Sequence, residues 1–361
     1  MMKQWLSLLL VLALTLSLFG CVKQEPLETT GQTAATADTT ASVVPETAET
    51  EPPETEPIET EPAETEPIEP ATPGSTPVLY KVTDEDGTVV YLLGSIHVAT
   101  DDMYPLPDYV MEAYRQSDAL AVECDVIAAQ ADLTTMMEAM QPFLYHDGTT
   151  IRKHIDKELY RAAVKVLKEN NVYGFSLTSY TPALWSSLID SFLYQKLGYD
   201  SDKGIDMFFL NTAKEDGTEI LEVESVQMQY ELLGSFPPEV QEYLLRCSVE
   251  NYHNPHIGDE FNRLVELWRS GDAAAFEAYL EQDSDTEDEG IEDPELLQML
   301  LECNDAMVGD RNVNMADYAE TALKHDQNIF ICVGAAHVVG PGAMADLLTQ
   351  RGYHVEQVHG S

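Results

Sequence analysis

Short apolar runs of strand length open and close the folded part of this chain, and long stretches of helical periodicity lie between them. LYKV (79–82) and VVYLL (89–93) are β-rich runs on either side of Asp84-Glu85-Asp86-Gly87, a turn signal, and together they predict a hairpin. ALAVE (119–123), EILEVES (219–225), NIFICVG (328–334) and YHVEQV (353–358) read as further strands. Helical patterning covers Asp108 to Ser117 and residues 128–213, with breaks near Gly148, Gly174 and Pro182. It resumes over 228–279, 294–324 and 343–351. Buried strands separated by helices predict an α/β fold with a mostly parallel sheet and flanking helices. The helical segments between the second, third and fourth strands are too long for single crossovers, so they predict a cap or helical subdomain over the sheet.

The N-terminal 77 residues follow another pattern. Residues 1–20, MMKQWLSLLLVLALTLSLFG, hold one early lysine, a short apolar run and small residues before Cys21, the layout of a secretory signal peptide. Leu18-Phe19-Gly20-Cys21 resembles a bacterial lipobox, with Phe19 bulkier than usual at its position. That resemblance implies cleavage before Cys21, lipid on its sulfur and a chain held at the extracytoplasmic face of the cell membrane. The apolar run is short for a spanning helix. Residues 22–77 repeat a Thr-Glu-Pro unit without an aromatic residue, and carry 13 acids against Lys23 alone. This composition predicts an extended, disordered tether. Three parts are therefore expected: a signal peptide (1–20), a lipidated cysteine with its tether (21–77) and a globular α/β domain (78–361).

Charge narrows the choice of partners. The 361 residues include 64 acidic and 19 basic side chains, a net charge of −45. The tether contributes −12 and Lys3 +1, which leaves −34 for residues 78–361. Such a surface repels phosphate backbones and anionic lipid, so nucleic acid is excluded as a partner and membrane attachment falls to Cys21. Glu281 to Glu295 hold nine acids in fifteen residues but lack the ligand spacing of a calcium loop, and read as a solvated loop. The cysteines show no CxxC spacing. Cys124 and Cys332 read as small buried hydrophobes, whereas Cys247 and Cys303 lie in helical text and are open to pairing outside the cell.

Candidate chemistry rests on a motif present twice. VVYLLGSIH (89–97) and IFICVGAAH (329–337) each run as apolar strand, glycine, two residues, histidine. In a parallel sheet His97 and His337 then lie just past the carboxyl ends of their strands, where α/β folds place their sites. Two imidazoles at one edge can coordinate a metal or share acid–base work. Glu123 ends ALAV and Glu222 interrupts EILEV; a carboxylate there costs free energy unless a metal, cation or donor satisfies it. Each alone reads as a structural ion pair. Together with the histidines they form a nitrogen and oxygen set acceptable to Zn, Mn or Co. Arg311, in a stretch poor in basic residues, either offsets a buried carboxylate or stabilises an oxyanion.

LLGSIHV (92–98), YPLP (104–107), ALAVECD (119–125), KGIDMFF (203–209), LEVESVQ (221–227), GDRN (309–312) and VGAAHVVGPGAMADLLTQRGY (333–353) occur in an order that resembles the TraB/PrgY/GumN family. That family includes the animal TIKI proteins and is related to the erythromycin-esterase and ChaN-like folds. The resemblance implies an α/β fold with paired GxxH motifs and, in TIKI-like members, a metal-dependent protease activity. By position it points to His97, Glu123, Glu222, Gln227, Arg311, Asn312 and His337. Val223 departs from the pattern, since relatives often carry threonine there. The resulting expectation is a lipid-anchored hydrolase of peptide or amide bonds. A divalent Mn, Co or Zn ion would sit on His97, His337 and one carboxylate, Glu123 or Glu222, and the other carboxylate would act as base. The alternative is a surface protein that binds or sequesters a peptide signal without turnover, and a weaker third reading is a metal- or haem-binding module. Neither HExxH nor GxSxG occurs, which excludes ordinary zincin geometry and disfavours a serine hydrolase.

Overall fold

A computed structural model of the protein describes residues 74–284 and 291–360. The signal peptide, Cys21, nearly all of the tether and much of the acidic run after Glu281 lie outside the described residues. Six strands, β1 (Leu79–Thr83), β2 (Val89–Ser95), β3 (Ala119–Val122), β4 (Glu219–Glu222), β5 (Ile329–Gly334) and β6 (His354–Gln357), form one sheet in the order β4-β3-β5-β2-β1-β6. β4, β3, β5 and β2 run parallel, while β1 is antiparallel to both β2 and β6. The expected α/β fold with a mostly parallel sheet is therefore the observed one. β3 and β5 are buried at every residue, as continuous apolar runs in the middle of a parallel sheet must be, and the edge strand β4 is half-exposed. The β1–β2 hairpin closes on Asp84, whose Oδ1 accepts the backbone N–H groups of Asp86 (3.0 Å) and Thr88 (2.9 Å).

The helices are α1 (Asp108–Arg115), α2 (Val126–Ala131), α3 (Leu133–Ala139), α4 (Lys157–Glu169), α5 (Pro182–Leu197), α6 (Ile205–Asp216), α7 (Val226–Gly234) and α8 (Pro238–His253). They continue with α9 (Ile257–Ser270), α10 (Ala273–Ser284), α11 (Pro294–Asn304), α12 (Asp310–Lys324), α13 (Ala335–Val338) and α14 (Met344–Gln350). They divide by what they cover. α1, α6, α12, α13 and α14 pack on strands, whereas α5 lies along α8, α4 touches both, and α3 packs on α7. The long insertions after β3 and β4 thus bury much of their apolar surface against each other. No helix among the described residues is long and apolar enough to cross a membrane. Cys124, Cys247, Cys303 and Cys332 are buried thiols, so the pairing left open for Cys247 and Cys303 is not made.

Strand register determines what reaches the working edge of the sheet. Ser95 of β2 lies opposite Gly334 of β5, and Val122 of β3 opposite both Cys332 and Glu222. The parallel strands thus end nearly in line, and the residues just beyond them emerge together. Gly94 lets the two GxxH loops cross closely, because a Cβ there would lie 3.0 Å from Ala335 Cα.

One buried acid lies apart from that edge. Asp190 of α5 is 3% exposed and accepts a hydrogen bond from Ser248 Oγ of α8 at 2.9 Å. Ser248 Oγ in turn lies 2.7 Å from Ser186 Oγ. Burial raises the Asp190 pKa to about 8, outweighing the two serine hydroxyls. The folded chain therefore keeps a proton that the unfolded chain releases near pH 4. This contribution to stability is complete below that pH and is lost as pH rises through about 8. Asp190→Asn is expected to match the wild type in urea unfolding near pH 4 and to exceed it at pH 9 by roughly 2–5 kcal/mol.

Candidate active site

Glu123 comes directly after β3 and is 7% exposed. Its Oε1 accepts the Gly334 N–H at 2.8 Å, and its Oε2 accepts from Gln229 Nε2 at 3.0 Å and Arg311 Nη2 at 2.7 Å. A second buried carboxylate, Glu224, takes the other side of the guanidinium. Arg311 Nε donates to Glu224 Oε1 and Nη2 to Oε2, both at 2.8 Å, and Gln229 Nε2 also reaches Glu224 Oε2 at 2.8 Å. Nη1 donates to the Met307 carbonyl at 3.1 Å. Burial opposes ionisation of Glu123, but the Arg311 charge, helped by the two nearby imidazoles, wins and holds its pKa at about 2.

The two GxxH histidines flank this network. Gly334 marks the junction: a Cβ placed there would lie 3.3 Å from Glu123 Oε1, 3.6 Å from His337 Cδ2 and 3.8 Å from His97 Nε2. His97 Nδ1 lies 3.0 Å from Asp206 Oδ1 in the first turn of α6. The α6 start is held against the first GxxH loop, because Ile205 N–H donates to the Ile96 carbonyl at 2.9 Å. Gly204 is required at this crossing, since a Cβ would come 2.5 Å from the His97 carbonyl oxygen. His337 is fully buried, and its Nδ1 lies 2.7 Å from Asn312 Oδ1. Asn312 Nδ2 donates to the Gly342 carbonyl at 3.1 Å, which turns the amide oxygen towards the imidazole and fixes the His337 proton on Nδ1. His337 Nε2 is left as a buried lone pair with no hydrogen-bond partner among the described residues.

The imidazoles are thereby driven apart. For His97, burial disfavours the charged ring, but Asp206, with support from Glu123, more than compensates and raises the pKa to about 9. For His337, burial and then the Arg311 charge act together and lower it to about 3. At neutral pH one ring is a cation that can give a proton, and the other is neutral with a free lone pair.

Three expectations need correction, and the choice left open for Arg311 narrows. Glu222 stands exposed at the sheet edge and accepts the Asp125 N–H at 2.8 Å; it is Glu224 that enters the site. Gln227 is exposed and donates to Glu231 Oε1 at 2.9 Å, one helical turn away, while Gln229 occupies the place expected for it. The reason is helical phase: the buried stripe of α7 is Val226, Gln229, Tyr230 and Leu233, which excludes 227. Of the two roles read for Arg311 it takes the first: four of its five N–H donors go to Glu123, Glu224 and Met307, which makes it the counter-charge of two buried carboxylates. The expected ligands do not fit a divalent ion. Among the described residues no group of three or more His, Cys, Asp or Glu side chains is arranged to hold a metal. Glu123 is committed to an ion pair and two further donors, and His97 Nδ1 to Asp206.

Asp206, Glu224 and Gln229 escape the sequence reading, although each has a physical signature. Gln229 is a polar residue on an apolar helical stripe. Arg311 and Asn312 lie likewise on the buried stripe of α12, with Met315, Ala316 and Ala319. Asp206 is disguised, because an acid in a first turn is ordinarily explained by the helix dipole.

Ligands of α/β proteins gather in the crevice beyond the carboxyl ends of the parallel strands, and it is at that edge that this chain packs two imidazoles and a carboxylate–guanidinium network. Residues 78–357 match the TraB/PrgY/gumN family, and the chain belongs to it. It is 28% identical over 152 residues to the "Uncharacterized protein YbaP" of Escherichia coli (strain K12) and, to the same extent, to that of Shigella flexneri. The match covers 41% of this chain and 52% of each relative, so the chain spans about half the length of the curated relatives it matches. No solved structure gives a significant match.

Removing Arg311 would strand two buried carboxylates. Arg311→Ala is expected to destabilise the fold by about 3–5 kcal/mol in urea unfolding at pH 7. Glu222→Gln and Gln227→Ala, both exposed, are expected to stay within about 0.5 kcal/mol of wild type.

Proposed function

We propose that the protein is an extracytoplasmic, lipid-anchored hydrolase of peptide or amide bonds in which His337 and His97 share the proton transfers. The observation that carries this reading is the pair of imidazoles flanking Gly334, His97 with its Nδ1 against the Asp206 carboxylate and His337 with its Nδ1 against the Asn312 amide and its Nε2 unpartnered among the described residues. Support for the substrate bond comes from the resemblance of its motifs to those of peptide-cleaving relatives, and support for the location from the signal-like residues 1–20 and Cys21.

The chemistry is set by the free atoms. His337 Nε2 takes a proton from water as the water oxygen bonds to the carbonyl carbon. His97 Nε2–H gives its proton to the departing nitrogen as the C–N bond breaks. The proton gained by His337 replaces the one lost by His97, and acid and amine products result. Asp206 keeps His97 charged beforehand, and Asn312 keeps His337 in the tautomer with Nε2 unprotonated. Full burial of the His337 ring favours the second reading, a surface protein that binds a peptide without cleaving it.

Peptide turnover by the purified chain should show kcat/KM falling off below about pH 3, as His337 is protonated, and above about pH 9, as His97 loses its proton. Asp206→Asn removes the charge that raises His97, so the alkaline limb should move down towards about 6.5 while the acid limb stays in place. His97→Ala and His337→Ala should each cost at least about 100-fold in kcat. Chelator-sensitive turnover would overturn the proton-transfer assignment. Binding without turnover in the wild type would establish the second reading.

A further inference from the structure

The helices α3 and α7 carry an exposed apolar surface that neither the family match nor the site itself accounts for. α3 and α7 pack on each other, and α7 also supplies Gln229 to the Glu123–Glu224–Arg311 network. On the outer side of this helix pair Leu133 is 73%, Met137 60% and Met228 43% exposed. Met136 and Met140 lie partly buried beside them. Methionines exposed in this number cost apolar hydration and are characteristic of surfaces that adapt to varied apolar side chains. The exposed polar residues of these elements include the acids Glu138 on α3, Glu231 on α7 and Glu222 at the end of β4, beside the neutral Thr134 and Gln227. The domain as a whole bears −34 over residues 78–361.

We propose that the α3–α7 face is the docking surface for the flanking part of the substrate, an amphipathic peptide segment with large apolar side chains and lysine or arginine. The methionines and Leu133 receive the apolar side chains, and Glu138, Glu222 and Glu231 receive the basic ones. α7 links the two, carrying both Met228 of the face and Gln229 of the Glu123–Glu224–Arg311 network. The cleavage part of this assignment rests on the hydrolase reading; the docking part does not.

The test uses the full chain carrying His337→Ala, which prevents turnover, and three fluorescein-labelled twelve-residue peptides: leucine/lysine, leucine/glutamate and serine/lysine. Fluorescence anisotropy should show binding of the leucine/lysine peptide, with the other two at least about tenfold weaker. Met137→Ser with Met228→Ser, both at exposed positions, should weaken the leucine/lysine peptide by about tenfold. Glu138→Lys with Glu231→Lys should do the same and should lessen the salt dependence. Equal affinity for all three peptides, or an unchanged affinity in the Met137→Ser/Met228→Ser variant, overturns the assignment. A concentration-dependent dimer abolished by that variant gives the face to a second copy of the chain and overturns it too. The wild-type chain separates this inference from the hydrolase reading. Tight binding of the leucine/lysine peptide without cleavage sinks only the hydrolase, and cleavage indifferent to peptide class sinks only the docking surface.

Discussion

The organisation of the site depends on one buried ion triad, Arg311 between Glu123 and Glu224. Taking three charges out of water is costly, and the attraction between them recovers that cost only when the geometry and the remaining hydrogen bonds are complete. Here they are. The guanidinium meets one carboxylate through two nitrogens, reaches the other through Nη2, and satisfies a helix carbonyl with Nη1. Gln229 bridges both carboxylates, and the Gly334 amide completes Glu123. The triad therefore joins the end of β3 to α7 and to the consecutive α12 and β5, three parts of the chain distant in sequence. Its value lies in fixing positions more than in net stability.

The properties of the two histidines depend on where they stand relative to that triad. His337 lies inside the shell, where the guanidinium and burial both oppose a second positive charge. His97 lies at its margin, with an 11% exposed side chain and a carboxylate of its own in Asp206. Two copies of one sequence motif thus give rings of contrary character. The strand–glycine–histidine pattern delivers each ring to the edge, and its surroundings decide its charge: Asp206 favours the charged His97 ring, whereas burial and the Arg311 charge disfavour a charged His337.

Much of this was legible in the sequence, and the exceptions share a cause. The strands could be read because β2, β3 and β5 are continuous apolar runs whose burial leaves no ambiguity of face. His97, His337 and Glu123 could be read because they come directly after such runs. The choice of Glu222 over Glu224, and of Gln227 over Gln229, failed where strand pairing gives way to a helix. A two-residue period becomes a 3.6-residue one at Ser225, whose side chain caps α7 by accepting the Met228 N–H. Across such a junction, proximity in sequence no longer says which side chain turns inward. The Asp206–His97 pair was invisible for a different reason: its members are 109 residues apart and meet only through the crossing at Gly204.

Between α11 and α12 the chain does not break but widens into a π turn, Asp305–Gly309, immediately before Arg311 and Asn312. A turn of this kind contains one residue more than the α-helix it interrupts. Each residue advances an α-helix by about 100°, so loss of one residue here would rotate α11 relative to α12 by about that angle. Packing of Met315, Ala316 and Ala319 would hold the later part in place while α11 and the Met307 carbonyl moved out of register with the guanidinium. A single-codon deletion could thus detune the site while the six strands and their register stayed intact. A lineage that kept the scaffold and abandoned the chemistry would need no greater change than that.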